Sequence, residues 1–163
     1  MNPDRAQPRW LSGDEQRVWR AFLEAHRLLA DELEREMQRA AGMPHAYYEV
    51  LVRLSEADGR ALRMSELAER SRSSRSRLSH AVGRLEEAGW VRRQACPTDA
   101  RGAVAVLTDE GFAALEAAAP GHVEAVRRHL FDPLTPAQVS QLGDISRAVR
   151  EHLLSVRQHG PGG

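Results

Sequence analysis

The stretch from Met64 to Thr108 constrains this chain more than any other. Leu67 and Ala68 mark a short helix, and Leu78, Val82 and Leu85 recur at the i, i+4, i+7 spacing of a second one. Successive side chains step about 100° around a helix, so the face opposite that stripe carries Ser73, Ser76, Arg77, His80, Gly83 and Arg84. That surface is cationic, rich in hydrogen-bond donors and low in bulk. The polar turn Ser71-Arg72-Ser73 separates the two helices, and Gly89 supplies a C-cap. Beyond it Trp90–Ala95 and Arg101–Leu107 read as two strands, with Pro97, Thr98, Asp99 and Ala100 at the hairpin tip. A support helix, a tight turn, a basic second helix and a basic ribbon are the parts of a winged helix-turn-helix DNA reader. The recognition helix, about residues 74–88, is expected in the major groove, with the wing, about 90–107, along the phosphates or in the minor groove.

In that arrangement Ser76, Arg77 and His80 are expected at base edges, because arginine is the best bidentate partner for guanine. Arg72, Ser74, Arg75 and Arg84 are expected mainly at phosphates, joined by Arg92 from the first wing strand. Arg101 is the expected minor-groove finger. Asp99, which phosphate would repel, is expected to orient an arginine instead. The competing readings are a solvated basic helix and an ordinary Asx-type turn at the tip. Glu86 and Glu87 sit unfavourably in the last turn of the recognition helix, at the end furthest from a groove entered N-terminus first.

Charge agrees with a localised reader. The whole chain is formally neutral, yet residues 60–101 hold ten arginines against five acidic residues. All 23 basic residues are arginine, a bias that points to GC-rich coding more than to chemistry. The single cysteine, Cys96, excludes an internal disulfide and a cysteine-based metal cluster. At the wing tip it is expected to be an exposed, incidental thiol. A redox role would need Arg93 to lower its pKa, and no second cysteine can resolve it within one chain. The seven histidines have no tight metal-ligand spacing, so neither metal nor cofactor is expected. No nucleophile elbow, phosphate loop or Ser/His/Asp cluster supports an enzyme. With no long apolar run and no signal-peptide pattern, no membrane association and a cytoplasmic location are expected.

The expected fold class is mainly α with a small β-hairpin wing: a winged helix-turn-helix domain plus a helical dimerisation domain built from both chain ends. Residues 10–42 are assigned to an N-terminal dimerisation helix, opened by Ser12 and Glu15 as a capping box and ended at Gly42. Pro44 is placed in the first turn of the next helix, and Leu62–Met64 as a brief strand beside the wing. Residues 43–108 form the DNA-binding domain and 109–157 the C-terminal dimerisation helices, with 1–9 and 158–163 as flexible ends. Thr108 opens the helix after the wing, Pro120-Gly121 is expected to kink or interrupt it, and Thr135-Pro136-x-Gln138 caps the last helix. The stripes of Val18, Trp19, Phe22 and Leu23, and of Ile145, Val149, Leu153 and Val156, exceed what one small core needs. Burial against a second copy is the simplest solution, and one larger monomeric α-domain is the alternative.

The run SELAER…SRSRLSHAVGRLEEAGWVRR…PTDARGAVAVLTDEG resembles the multiple antibiotic resistance regulator (MarR) family of winged-helix transcription factors. The likeness covers nearly the whole chain; its most specific parts are Asp99-x-Arg101 and the LTDEG that opens the next helix. It implies a homodimer with interlocked terminal helices, and the same division of roles between Asp99 and Arg101. It also implies a cleft for phenolic or aromatic-acid effectors between the dimerisation helices and the DNA lobe, for which Trp19, His26, His45, Tyr47 and Tyr48 are the candidates; the competing assignment for them is plain core. Some relatives sense peroxide through a cysteine near the chain start, where this chain has none. The expected activity is a repressor of palindromic double-stranded DNA operators modulated by a small molecule. The alternatives are a ligand-independent regulator and a protein-interaction module that uses the basic helix.

Overall fold

The computed structural model describes residues 8–96 and 99–159, with the backbone alone for 99–101 and 158–159. The tip residues Pro97 and Thr98, residues 1–7 of the expected arm and 160–163 of the tail lie outside the described residues. Helix α1 (Gly13–Ala41) opens on the Ser12/Glu15 capping box: Ser12 N–H donates to Glu15 Oε2 at 2.7 Å, and Glu15 N–H to Ser12 Oγ at 3.2 Å. It closes at Gly42, whose φ of 65° is the left-handed conformation that glycine adopts without strain. Helix α2 (His45–Ser55) starts after Pro44, which stands just outside the helix and not within its first turn. The Glu34 carboxylate of α1 reaches across to accept the His45 N–H at 2.9 Å, supplying the cap that Pro44 lacks.

Strand β1 (Ala61–Arg63), helix α3 (Met64–Arg70), helix α4 (Arg75–Glu87) and strands β2 (Val91–Cys96) and β3 (Asp99–Leu107) follow. The sheet is antiparallel in the order β1-β3-β2, which leaves β2 at an edge. Asp99 and Ala100 therefore belong to strand β3, not to the tip, because the ladder resumes with Cys96 opposite Asp99. Trp90 lies just before β2, in the turn that ends α4. There Trp90 N–H donates to Leu85 O and Gly89 N–H to Glu86 O, both at 2.9 Å, with Gly89 at φ 75°. These two bonds form a Schellman closure, which fixes the angle at which the wing leaves the recognition helix.

Helix α5 (Asp109–Val126) is capped by Thr108, whose Oγ1 accepts Gly111 N–H at 3.0 Å. Pro120 lies inside this helix and does not interrupt it. Gly121 is also no breaker: a Cβ there would lie 3.6 Å from the Ala40 Cβ of α1, so it marks close approach of α1 and α5. A π-helical turn, Arg127–Phe131, follows, and Thr135 and Gln138 then cap helix α6 (Pro136–His159) reciprocally.

One core runs through Met37, Leu51, Leu54, Leu67, Leu78, Val82, Leu85, Val91, Leu107 and Leu115, joining the helix-turn-helix to the base of the wing and to α5. Cys96 is buried, 6% exposed, contrary to the expected surface thiol. It stands where the β2–β3 register breaks, between Ala95 and Cys96, outside the core cluster that holds Val91. Outside the core, Val18, Trp19 and Phe22 of α1 and Ile145, Val149, Leu153 and Val156 of α6 are each at least half exposed.

Candidate nucleic-acid interface

Helix α4 is placed by Leu78, Ala81, Val82 and Leu85, all buried. That packing turns Arg75, Ser76, Arg77, His80 and Arg84 to the exposed side. Ser74 is the N-cap, and its Oγ accepts Arg77 N–H at 3.3 Å. In the turn before it Arg72 is exposed and holds a φ of 49°, a left-handed conformation unusual for a residue with a Cβ. The expected base-contacting and phosphate-contacting side chains of the helix-turn-helix are thus all exposed, with Ser76, Arg77, His80 and Arg84 turned away from the core and Arg75 on the flank that faces Ser79 and Arg93.

Electrostatics at the far end of α4 is settled locally. The Glu87 carboxylate accepts from Arg84 Nη1 at 2.7 Å and raises the Arg84 pKa, mainly through that hydrogen bond. Glu86 is held by Arg93 of β2. Both carboxylates that seemed ill placed for a DNA reader are therefore paired with arginines.

Strand alternation puts the two wing arginines on opposite faces. Arg93 joins Arg63, Arg75, Ser79 and Gly102 around a groove of about 460 Å³ between α4 and the sheet. Arg92 instead borders a shallow basin with Arg60 and Asp109 on the other side. Sequence reading put both Arg92 and Arg93 on the basic ribbon but gave a DNA contact to Arg92 alone and none to Arg63; the available signal was that neighbours on a strand cannot share a face. Asp99 and Arg101 enter β3, but their side chains lie outside the described residues.

The effector candidates divide. His26 and His45 line one groove of about 400 Å³ with Leu29, Ala30, Leu33, Glu34, Ala46 and Glu49. Trp19 stands apart, stacked on Phe22, which in turn stacks on His26. Tyr48 is buried and Tyr47 half-buried against the core. The Tyr48 ring lies 4.6 Å from that of His122, which is itself 5.1 Å from His45. Burial, reinforced by His45, lowers the His122 pKa, with Glu49 opposing. His122 had no place in the sequence reading of this site. Among the described residues no group of three or more His, Cys, Asp or Glu is placed to hold a metal, and no helix is long and apolar enough to cross a membrane.

A helix-turn-helix with an exposed basic second helix, flanked by a three-stranded wing, defines the winged-helix class of transcriptional regulators. The comparisons narrow the class. The profile of the MarR family matches residues 41–102. Sco3205, a MarR family transcriptional regulator from Streptomyces coelicolor solved in complex with DNA, is 58% identical over 90% of this chain and 92% of that one, with a TM-score of 0.84. AbsC, a MarR family transcriptional regulator from the same organism, is 44% identical over 91% of this chain and 99% of its own, with a TM-score of 0.83. The HTH-type transcriptional regulator PecS of Dickeya dadantii (strain 3937) is 32% identical over 97 residues, and the match spans only 58% of its length. The chain belongs to the MarR family, a family of transcriptional regulators and not of enzymes.

Proposed function

We propose that the chain is a dimeric, sequence-specific DNA-binding repressor that reads a palindromic operator with one α4 per half-site. The observation that carries this reading is helix α4 itself: Leu78, Ala81, Val82 and Leu85 lock one side into the core and leave Ser76, Arg77, His80 and Arg84 exposed, with Arg72, Ser74 and Arg75 exposed where the helix begins. The DNA complex of Sco3205 supports the nucleic-acid partner, and the name of YetL of Bacillus subtilis (strain 168), an HTH-type transcriptional repressor 31% identical over 107 residues and 64% of its own length, supports repression. The exposed apolar residues of α1 and α6 support pairing with a second copy, since patches of this kind are rare on monomers. Residues 10–42 and 109–157 then act as the dimerisation part and 43–108 as the reader. A two-fold pair would set its recognition helices roughly one DNA turn, about 34 Å, apart. Arg92 and Arg101 act on the duplex from the wing, with Asp99 orienting an arginine.

The His26/His45 groove is the effector site of this reading. It joins α1 to the start of α2, so its occupant biases the reader relative to the dimerisation helices. Glu34 and Glu49 on its rim favour a neutral phenol over an aromatic carboxylate. The test is an anisotropy titration of the full chain against the duplex upstream of its own gene, with excess random duplex present. Saturation at two chains per duplex is the expected result, with a steep salt dependence. Binding abolished by random competitor would refute specific reading at that site.

A further inference from the structure

We infer that Glu86 is a positioning residue for DNA reading: through Arg93 it holds the wing at one fixed spacing from the recognition helix, so that helix and hairpin engage a duplex together. The inference rests on the DNA reading proposed above. Arg93 N–H donates to Glu86 Oε1 at 2.9 Å, Arg93 Nε lies 3.3 Å from Glu86 Oε2, and Arg93 Nη2 donates to the Ser79 carbonyl at 2.7 Å. One arginine thus spans two turns of α4, from Glu86 back to Ser79. Gly83 lies between those anchors, and a Cβ there would first meet Arg93 Nη2, at 3.9 Å.

The brace sits where the wing needs it. Strand β2 is an edge strand, and Glu86 accepts one of its outward N–H groups. The Schellman closure fixes only the root of the strand, whereas residues 92–95 are exposed and the ladder loses register after Ala95. The Glu86 and Arg93 side chains are 30% and 34% exposed, against 57% and 67% for the Arg84–Glu87 pair, so helix and strand shield this contact from solvent and from competing ions. Glu86 has no partner role of its own toward an anionic duplex. As a bare charge it would repel DNA, and its removal would tighten binding; as a brace, its removal loosens specific binding. The two roles predict opposite signs.

The test uses the full chain and a duplex enriched by the wild-type protein from a random-sequence library, with random duplex for comparison. Glu86→Ala is expected to weaken specific binding about tenfold, the scale of one lost charge-assisted contact, without weakening binding to random duplex. Arg93→Ala should do the same and the double variant no more, because both remove one brace. Hydroxyl-radical protection should persist where α4 sits and fade at the flanking wing contacts. Glu86→Gln keeps the shape and an acceptor for Arg93 N–H, so it should fall between, which keeps the test valid if the alanine variant folds poorly. Equal or tighter specific binding by both Glu86 variants overturns the brace, as does an equal loss on specific and random duplexes. Failure of the wild type to enrich any duplex overturns the DNA reading first, and the inference with it.

Discussion

Gly111 holds the joint between the reader and helix α5, and replacing it with alanine should damage the protein far more than its helical position implies. In an open helix Gly→Ala gains up to about 1 kcal/mol. At Gly111 the new Cβ would lie 2.1 Å from the Trp90 carbonyl oxygen, 2.8 Å from its carbonyl carbon and 2.9 Å from Leu107 Cδ1. Two of those three atoms are backbone and cannot rotate away. The Trp90 oxygen accepts Thr108 N–H at 3.0 Å, and Thr108 Oγ1 donates to Gly89 O at 2.7 Å, so retreat of α5 strains both bonds. Overpacking costs about 1–3 kcal/mol and each hydrogen bond about 0.5–1.5 kcal/mol, so the net loss is roughly 3 kcal/mol. For a chain of this size that lowers Tm by roughly 6–12 °C. Circular-dichroism melts at one fixed protein concentration measure it, because the self-association proposed above would make Tm depend on concentration. The paired control is Gly83→Ala, whose Cβ meets nothing closer than 3.9 Å and which should gain about 0.5–1 kcal/mol. A Gly111→Ala protein that melts at or above wild type would refute the reasoning.

The remaining predictions use the same fixed-concentration melts or simple binding assays. Arg72→Gly relieves a left-handed backbone that costs about 1–2 kcal/mol, less about 0.5–1 kcal/mol of added unfolded-state entropy, so Tm should rise; DNA affinity should fall across all sequences, with a salt slope shallower by about one unit. The His122 pKa lies below its ordinary value, so the unfolded chain binds that proton first as pH falls. Stability is therefore full above about pH 6.5 and declines as pH drops toward the depressed folded value; His122→Asn should flatten Tm between pH 7.5 and 5.5, and an unchanged slope would count against the burial argument. Val149→Glu places an unpaired charge on the exposed apolar side of α6 and should weaken self-association at least about a hundredfold in sedimentation or light-scattering measurements, with the α4 surface intact.

Much of the architecture was legible because helices write their environment locally. The Leu78–Val82–Leu85 stripe, the Ser12/Glu15 and Thr135/Gln138 boxes and Gly42 all act within one or two helical turns, and all stand where their spacing put them. The basic surface of α4 followed, since fixing one side of a helix fixes the other. Gly111 was legible only as part of the LTDEG resemblance. Its physical reason, the Trp90 carbonyl, comes from a turn twenty-one residues earlier in the chain.

What sequence missed depends on contacts between elements. Cys96 is buried at the end of β2, where the register breaks between Ala95 and Cys96, and the pattern of β2 alone does not announce that break. Pro120 resembles a breaker because propensity charges about 3 kcal/mol for it, yet Leu115, Ala118 and Ala125 are buried in the same helix, and their packing outweighs one lost bond. Arg92 and Arg93 had to face opposite ways, but only the edge position of β2 beside α4 decides which of them meets Glu86 and Ser79. In each case the deciding atom belongs to another element. The wing is the part of this fold most subject to that kind of decision, since only its root is held by the core. A contact such as Glu86–Arg93, cut off from the sequence pattern of either element alone, is therefore where the geometry of DNA reading is set.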